Sequence, residues 1–330
     1  MVSNPYKSLQ PRQQRLKGNF FMRSLKLIKA AGAILLIMLA ACNKDEEITG
    51  DADSDAGQNP ADYEFTVMEY KPAPGQFINE PQSGYRDIST MDEACRYAQK
   101  RLAAGDYVSL GAWGGYIVVK ARTPLENSGA YDFLIGANAF DTSNEPGIVW
   151  VMQDENGNGL PDDTWYELRG SYYGLDEDCQ TDYSVTYYRP ADRRGDIEWR
   201  DSNGDTGIVA RNTFHTQDSY FPSWIEGDSY TLTGSRLPAR ITLTEEGTWV
   251  NEPFKWGYAD NNGYDSVITE EGGRKVQKNY FRISDTVDRN GKSVIIEKAD
   301  FIKVQTAING STPVTGEIST EVCGFYRNNR

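Results

Sequence analysis

Residues 147–169 read GIVWVMQDENGNGLPDDTWYELR. Gly147–Gln153 is an apolar, β-branched run and Thr164–Arg169 is a second, aromatic one. Between them Asn156-Gly157-Asn158-Gly159 interrupts any regular element. Short runs of this kind, bounded by Asn, Asp and Gly, read as strands joined by a turn. The same pattern continues outward. Tyr107–Lys120, Tyr131–Phe140, Tyr183–Arg189, Ile197–Arg200 and Tyr230–Thr233 are further strand-like runs, followed by Ala239–Thr244, Tyr280–Ile283 and Val294–Thr306. Asn203-Gly204, Asn262-Gly263 and Asn290-Gly291 are further turn signals. One helix is clearly marked. Thr90-Met91-Asp92-Glu93 is a capping box, Met91, Ala94, Cys95, Ala98 and Leu102 follow at helical spacing, and Gly105 ends the run. Many short strands and one helix predict a mainly-β, antiparallel sandwich with a short N-terminal helix. No fixed-period repeat occurs and no linker follows residue 62, so residues 63–330 are expected to form a single domain.

Composition agrees. The chain of 330 residues has 31 Gly, 20 Tyr, 7 Trp and 12% aromatics, as in a β-rich protein with many turns. Its formal net charge of −14 hides an asymmetry. Residues 1–41 carry seven basic side chains and no acidic one, leaving 27 basic against 48 acidic beyond them, a net −21. A body that acidic repels polyphosphate, which excludes nucleic acid as the main partner. A single histidine, His215, excludes His-rich zinc sites.

The basic start reads as a targeting segment. Ala30 to Ala41 (AAGAILLIMLAA) is a 12-residue apolar run behind Arg23, Lys26 and Lys29, shorter than the roughly 20 residues that span a bilayer. It ends in Leu39-Ala40-Ala41-Cys42, which resembles a bacterial lipobox with Cys42 as the lipidated residue. Residues 1–41 are therefore expected to be a signal peptide, with Met22 an alternative start. Residues 42–62 are expected to be a flexible acidic tether. Asn43-Lys44-Asp45-Glu46-Glu47 resembles a surface-export signal. The expected location is the outer membrane, facing outward and held by the lipid anchor only. Beyond Cys42 three cysteines remain, Cys95, Cys179 and Cys323, at spacings that match no metal or redox motif. They are expected to be mostly buried small hydrophobes, with at most one disulfide among them.

The sharpest chemical motif lies inside the opening stretch. From Asp154 to Asp163, oxygen-bearing side chains recur at alternate positions ahead of Gly159. Asp154, Asn156 and Asn158 suit a hard cation, and the Leu160 carbonyl, Asp162 and Asp163 can complete the shell. Position 12 of an EF-hand comparison is Trp165 rather than Glu, so Asp163 or Glu167 has to substitute. A calcium loop between strands, structural rather than catalytic, is the expectation. Asp201–Asp205 and Asp260–Asp265 are weaker acidic stretches that read as plain turns. His215 has no nucleophile motif beside it and reads as structural. Pairs such as Asp162/Asp163 and Glu270/Glu271 arise readily among 48 carboxylates, so no catalytic residue is assigned. Trp113, Trp165, Tyr166, Trp224 and Trp256 lie beside turn-rich segments and are the candidate ligand-stacking rings.

Several longer strings resemble a family of Bacteroidota cell-surface lipoproteins. They include Lys71–Glu80, Val108–Ile117, Ala137–Phe140, Glu145–Val149, Asn156–Tyr166, Tyr187–Pro190, Arg211–His215, Asp300–Val304 and Gly316–Val322, covering roughly residues 64–323. The resemblance implies a jelly-roll sandwich of the galactose-binding, discoidin-like kind, with calcium riveting strands near one edge and ligands bound in end loops. Gly136-Ala137 departs from the pattern, where such proteins carry a larger or polar residue followed by Gly. The family implies non-catalytic capture of a glycan or other small neutral ligand alongside a TonB-dependent outer-membrane transporter. Corrinoid (cobalamin) binding is the alternative, and a glycan-active hydrolase or an adhesion protein the third class.

Overall fold

The computed structural model describes residues 63–175 and 179–329. The expected signal peptide, Cys42 and the tether lie outside the described residues. The described residues fall in two units, 63–242 with 249–329, and Leu243–Thr248. In the second, the described part is a turn closed by Thr244 N donating to Thr248 O at 2.9 Å. The sheets below belong to the first.

The protein is mainly β, and its sheets are antiparallel. The central sheet has six strands, in the order Phe65–Lys71, Tyr116–Glu126, Lys298–Thr306, Gly147–Met152, Trp165–Leu168 and Thr286–Val287. A second sheet runs Ser229–Arg236, Gln180–Tyr188, Ile197–Asp201, Thr206–Val209, and a third Ser266–Glu271, Arg274–Phe281, Phe133–Ala137, Gly324–Arg327. Alternation along each strand puts one set of side chains inward. Ile117, Val119, Val149, Val151, Ile302 and Val304 of the central sheet share one apolar cluster with Phe133, Ile135 and Phe281 of the third and Tyr183, Val185 and Leu232 of the second. Each such residue contributes about 1.5–3 kcal/mol on burial, so this cluster holds the sheets together.

The helix, α1, spans Met91–Ala103 with the expected reciprocal capping box of Thr90 and Glu93. It covers the free edge of Phe65–Lys71. There Gln99 Oε1 accepts from Val67 N at 2.8 Å and its Nε2 donates to Phe65 O at 3.3 Å, occupying groups that an open edge would expose.

Several sequence readings differ from the structure. Tyr107–Lys120 breaks in two. Val108–Ser109 pairs with Glu321–Val322, and the chain turns through Gly111 (φ 71°), where a Cβ would lie 2.1 Å from Ala73 O. Tyr280–Ile283 is only the end of Arg274–Phe281, whose hairpin partner Ser266–Glu271 has too few apolar residues to signal itself. That hairpin turns on Gly272-Gly273, both at positive φ (55° and 79°) as a two-residue turn demands. Asn262-Gly263 is no hairpin turn. Asp260, Asn261 and Asp265 are 1%, 0% and 4% exposed. Asn261 exchanges hydrogen bonds with the Phe254 backbone and Asp265 Oδ2 accepts from Gly257 N, which makes this stretch a buried knot.

A candidate ligand groove and the cation loop

The outer face of the central sheet carries an in-register row. Glu69 lies opposite Val118, Val118 opposite Lys303, Lys303 opposite Trp150, and Trp150 opposite Glu167. Cross-strand partners share a face, so Lys303 sits centrally between two carboxylates. The flanking rows place Tyr116 beside Gln305 and Met152 beside Trp165. The Lys303 ammonium stands 4.6 Å from the ring centroid of Trp150, 5.1 Å from Trp165 and 5.8 Å from Tyr116, an aromatic box on three sides.

Electrostatics follow from this packing. Burial lowers the Lys303 pKa to about 8, against the opposing pull of Glu69 and Glu167. Burial likewise raises Glu167 to about 7, although its Oε2 accepts from Ser235 Oγ. Tyr116 donates to Glu69 Oε2 at 2.9 Å, and burial pushes its phenol pKa upward. The strand Ser229–Arg236 forms the wall. Gln305 Nε2 donates to Thr233 O and Gly114 O, both at 2.9 Å. What remains open is a groove of about 190 Å³ lined by Glu69, Lys71, Tyr116, Val118, Trp165, Thr231–Thr233, Lys303 and Gln305. A larger depression of about 600 Å³ borders Glu64, Thr123, Phe325–Arg327 and Asn329. It is shallow, and Glu64 there is already paired with Arg327.

Of the five rings singled out from sequence, Trp165 lines this groove. Tyr166, the next residue along the strand, turns to the other face and packs on the core. Trp113 is fully buried against Tyr183, and Trp224 is 6% exposed between Tyr70 and Tyr85, so neither offers a face to a ligand. Trp256 is 37% exposed and does not line the groove. Sequence reasoning missed Lys303, Tyr116, Glu69 and Gln305. Their signal was alternation: in Phe301–Thr306, Ile302 and Val304 take the core face, which leaves Lys303 and Gln305 on the opposite one.

The loop Asp154–Asp163 caps the hairpin from which Trp165 departs. Asp154 Oδ1 accepts from Gly157 N at 2.8 Å and Oδ2 from Gly159 N at 2.9 Å. Asn156 Oδ1 accepts from Asn158 N at 2.9 Å, and Asn158 Oδ1 from Leu160 N at 2.7 Å. Asn158 and Asn156 direct their amide nitrogens at Asp162, holding its carboxyl below the usual carboxylate range. Asp163 Oδ2 accepts from Glu155 N at 3.0 Å. The donors are all oxygens and fit a hard cation in type. Two features weigh against strong binding. Lys120 Nζ donates to Gly159 O at 3.0 Å, placing a fixed positive charge on the loop. Glu167, one of the two residues expected to replace the absent bidentate Glu, is buried and bonded to Ser235 instead.

Elsewhere, His215 Nδ1 lies 3.3 Å from Glu80 Oε2, and the ring meets Phe77 edge-on at 4.6 Å. Asp201 closes its hairpin turn by accepting from Asn203 N and Asp205 N. Glu271 pairs with Lys278 across its own hairpin. Cys95 and Cys323 are unbridged, and burial raises their thiols to about 11 and about 12. No helix among the described residues is long and apolar enough to cross a membrane. No protein-family model matches the chain, and no curated protein matches it.

Proposed function

We propose that the protein is a lipid-anchored surface module of the galactose-binding, jelly-roll type that captures a small, neutral, polyhydroxylated ligand without turning it over. It would work beside an outer-membrane transporter of the TonB-dependent class, with calcium in the Asp154–Asp163 loop bracing the hairpin. The groove carries this reading. It sets the rings of Tyr116 and Trp165, over which the Lys303 ammonium stands, beside convergent donors and acceptors: Glu69, Lys71, Lys303 and Gln305. Convergent polar groups fix the hydroxyls of a small ligand, and the rings border it. The acidic body, net −21 beyond residue 41, disfavours an anionic ligand.

Size narrows the class. A groove of about 190 Å³ is smaller than the roughly 300–1,000 Å³ of sites for drug-sized ligands. That favours one sugar unit over a corrinoid macrocycle. Capture is favoured over cleavage because the backbones of Glu69 and Glu167 stand four strand spacings apart in the row, about 19 Å at about 4.8 Å per strand, with Lys303 between the two carboxylates. Glycosidase carboxyl pairs stand about 5–5.5 Å apart in retaining enzymes and about 6.5–9.5 Å in inverting ones. The experiment is a binding screen of the full chain against a glycan panel and cobalamin, with Trp165→Ala as control. Saturable glycan binding lost in the variant supports the reading. Cobalamin binding alone, or glycan binding indifferent to Trp165, overturns it.

A further inference from the structure

A second group of acidic side chains, apart from the cation loop, is buried in the protein. Glu145, Asp260 and Glu321 come from three segments 115 and 61 residues apart in sequence, yet their carboxylate oxygens lie within 4.8 Å of one another. Asp260 is 1% exposed and Glu321 6%. Backbone amides satisfy part of the set. Asp260 accepts from Glu321 N at 3.0 Å and Asn138 N at 3.3 Å, and Glu145 Oε1 accepts from Ser319 N at 3.3 Å. Glu321 Oε1 is different: it is buried within the trio with no hydrogen-bond partner. An orphaned carboxylate oxygen in a dry site costs several kcal/mol unless something compensates it.

The surroundings do not compensate it with charge. Burial raises all three carboxyls, Glu145 to about 8; after burial the largest influence on Glu145 is the Asp260 carboxylate and on Glu321 the Glu145 carboxylate, with which Glu321 also shares a side-chain hydrogen bond. Oxygens around one ion at about 2.3–2.6 Å stand at most about 5 Å apart, which this spacing meets. The donors are carboxylates, without His or Cys, so the ion is hard. Burial selects against Mg²⁺, which gives up its waters reluctantly.

We propose that Glu145, Asp260 and Glu321 hold a Ca²⁺ ion, at a site separate from the Asp154–Asp163 loop and independent of the capture reading. The ion would rivet three segments that already touch. Glu145 N donates to Asp260 O at 3.1 Å, Gly147 and Ala259 exchange bonds at 2.9 Å, and Thr320 Oγ1 donates to Glu145 O at 2.7 Å. Through Glu321 it anchors the Glu321–Val322 strand against Val108–Ser109.

The test uses the full chain stripped with EDTA, then dialysed against micromolar calcium and assayed for bound metal and melting temperature. A loop variant, Asp154→Asn with Asp162→Asn, is expected to keep one tightly bound equivalent and its calcium-dependent rise in melting temperature. Glu321→Gln and Glu145→Gln are expected to lose that equivalent, or to bind it at least tenfold more weakly. Their metal-free forms should melt no lower than metal-free wild type, because a like charge is gone. If Glu321→Gln does not fold, Glu145→Gln decides, since its side chain keeps partial access to solvent. A Glu145→Gln protein with wild-type calcium stoichiometry and affinity overturns the proposal. So does a loop variant that binds no calcium.

Discussion

Replacing Lys303 by Met keeps the stem against Trp150 and Trp165 and removes only the ammonium. The depression from the ordinary 10.5 to about 8 corresponds to about 3 kcal/mol at about 1.36 kcal/mol per pH unit. Lys303 keeps partial access to water, so screening reduces the visible part to about 1–2 kcal/mol. The sign follows from proton binding. Below pH 8 both folded and unfolded chains carry the charge, and the folded state bears the full penalty. Between about 8 and 10.5 the unfolded chain binds more protons, so wild-type stability rises with pH. Lys303→Met has no such group. The variant's lost cation–π contacts and altered packing give an offset that does not depend on pH. Urea melts at pH 7 and pH 10.5 isolate the charge: wild type should gain about 1–2 kcal/mol relative to Lys303→Met across that interval. A difference that stays flat, or moves the other way, refutes the claim that Lys303 is held in a desolvated box between Glu69 and Glu167.

Glu167→Gln tests the other end of the row. Because the folded carboxyl titrates near 7 rather than near 4.5, wild type loses stability as pH rises through that window. The variant should gain on it by up to about 3 kcal/mol between pH 4.5 and 8, in urea melts at those two pH values. Gly111→Ala forces a Cβ to 2.1 Å from Ala73 O at a positive φ and should cost more than about 3 kcal/mol, read as lost soluble yield or a collapsed melting temperature. Thr90→Ala removes the side chain that accepts from Glu93 N and should cost about 1 kcal/mol by urea denaturation.

Local chemistry made the architecture legible where it was self-contained. The capping box at Thr90 and Glu93, the Gly147–Gln153 and Thr164–Arg169 strands, and the Asn203-Gly204 turn each carry their signal within a few residues. Tertiary partners made the rest. Ser266–Glu271 is a strand because Arg274–Phe281 lies beside it, and its own residues are largely polar. Asp260–Asp265 has the composition of an exposed turn, yet Asn261 and Asp265 are buried because they satisfy backbone groups of Phe254 and Gly257. Trp113 and Trp224 neighbour glycine and serine, as an exposed ring would. The close approach allowed at Gly111 nevertheless folds the turn beside Trp113 inward, and Trp224 donates its indole N–H to Tyr70 O. Lys303 was overlooked for a related reason: one lysine in an apolar strand looks solvated until neighbouring strands bring Trp150 and Trp165 around it. Glu145, Asp260 and Glu321 form no motif because their proximity exists only in three dimensions.

The central claim is that the face around Lys303 captures a sugar-like ligand. Indole ¹⁵N signals of the labelled full chain, followed during titration with the best glycan from the panel, test it most directly. Saturable shifts of the Trp165 and Trp150 signals, with Trp256 unmoved, are the result expected. Saturable binding that shifts Trp256 and leaves Trp165 and Trp150 in place would contradict it.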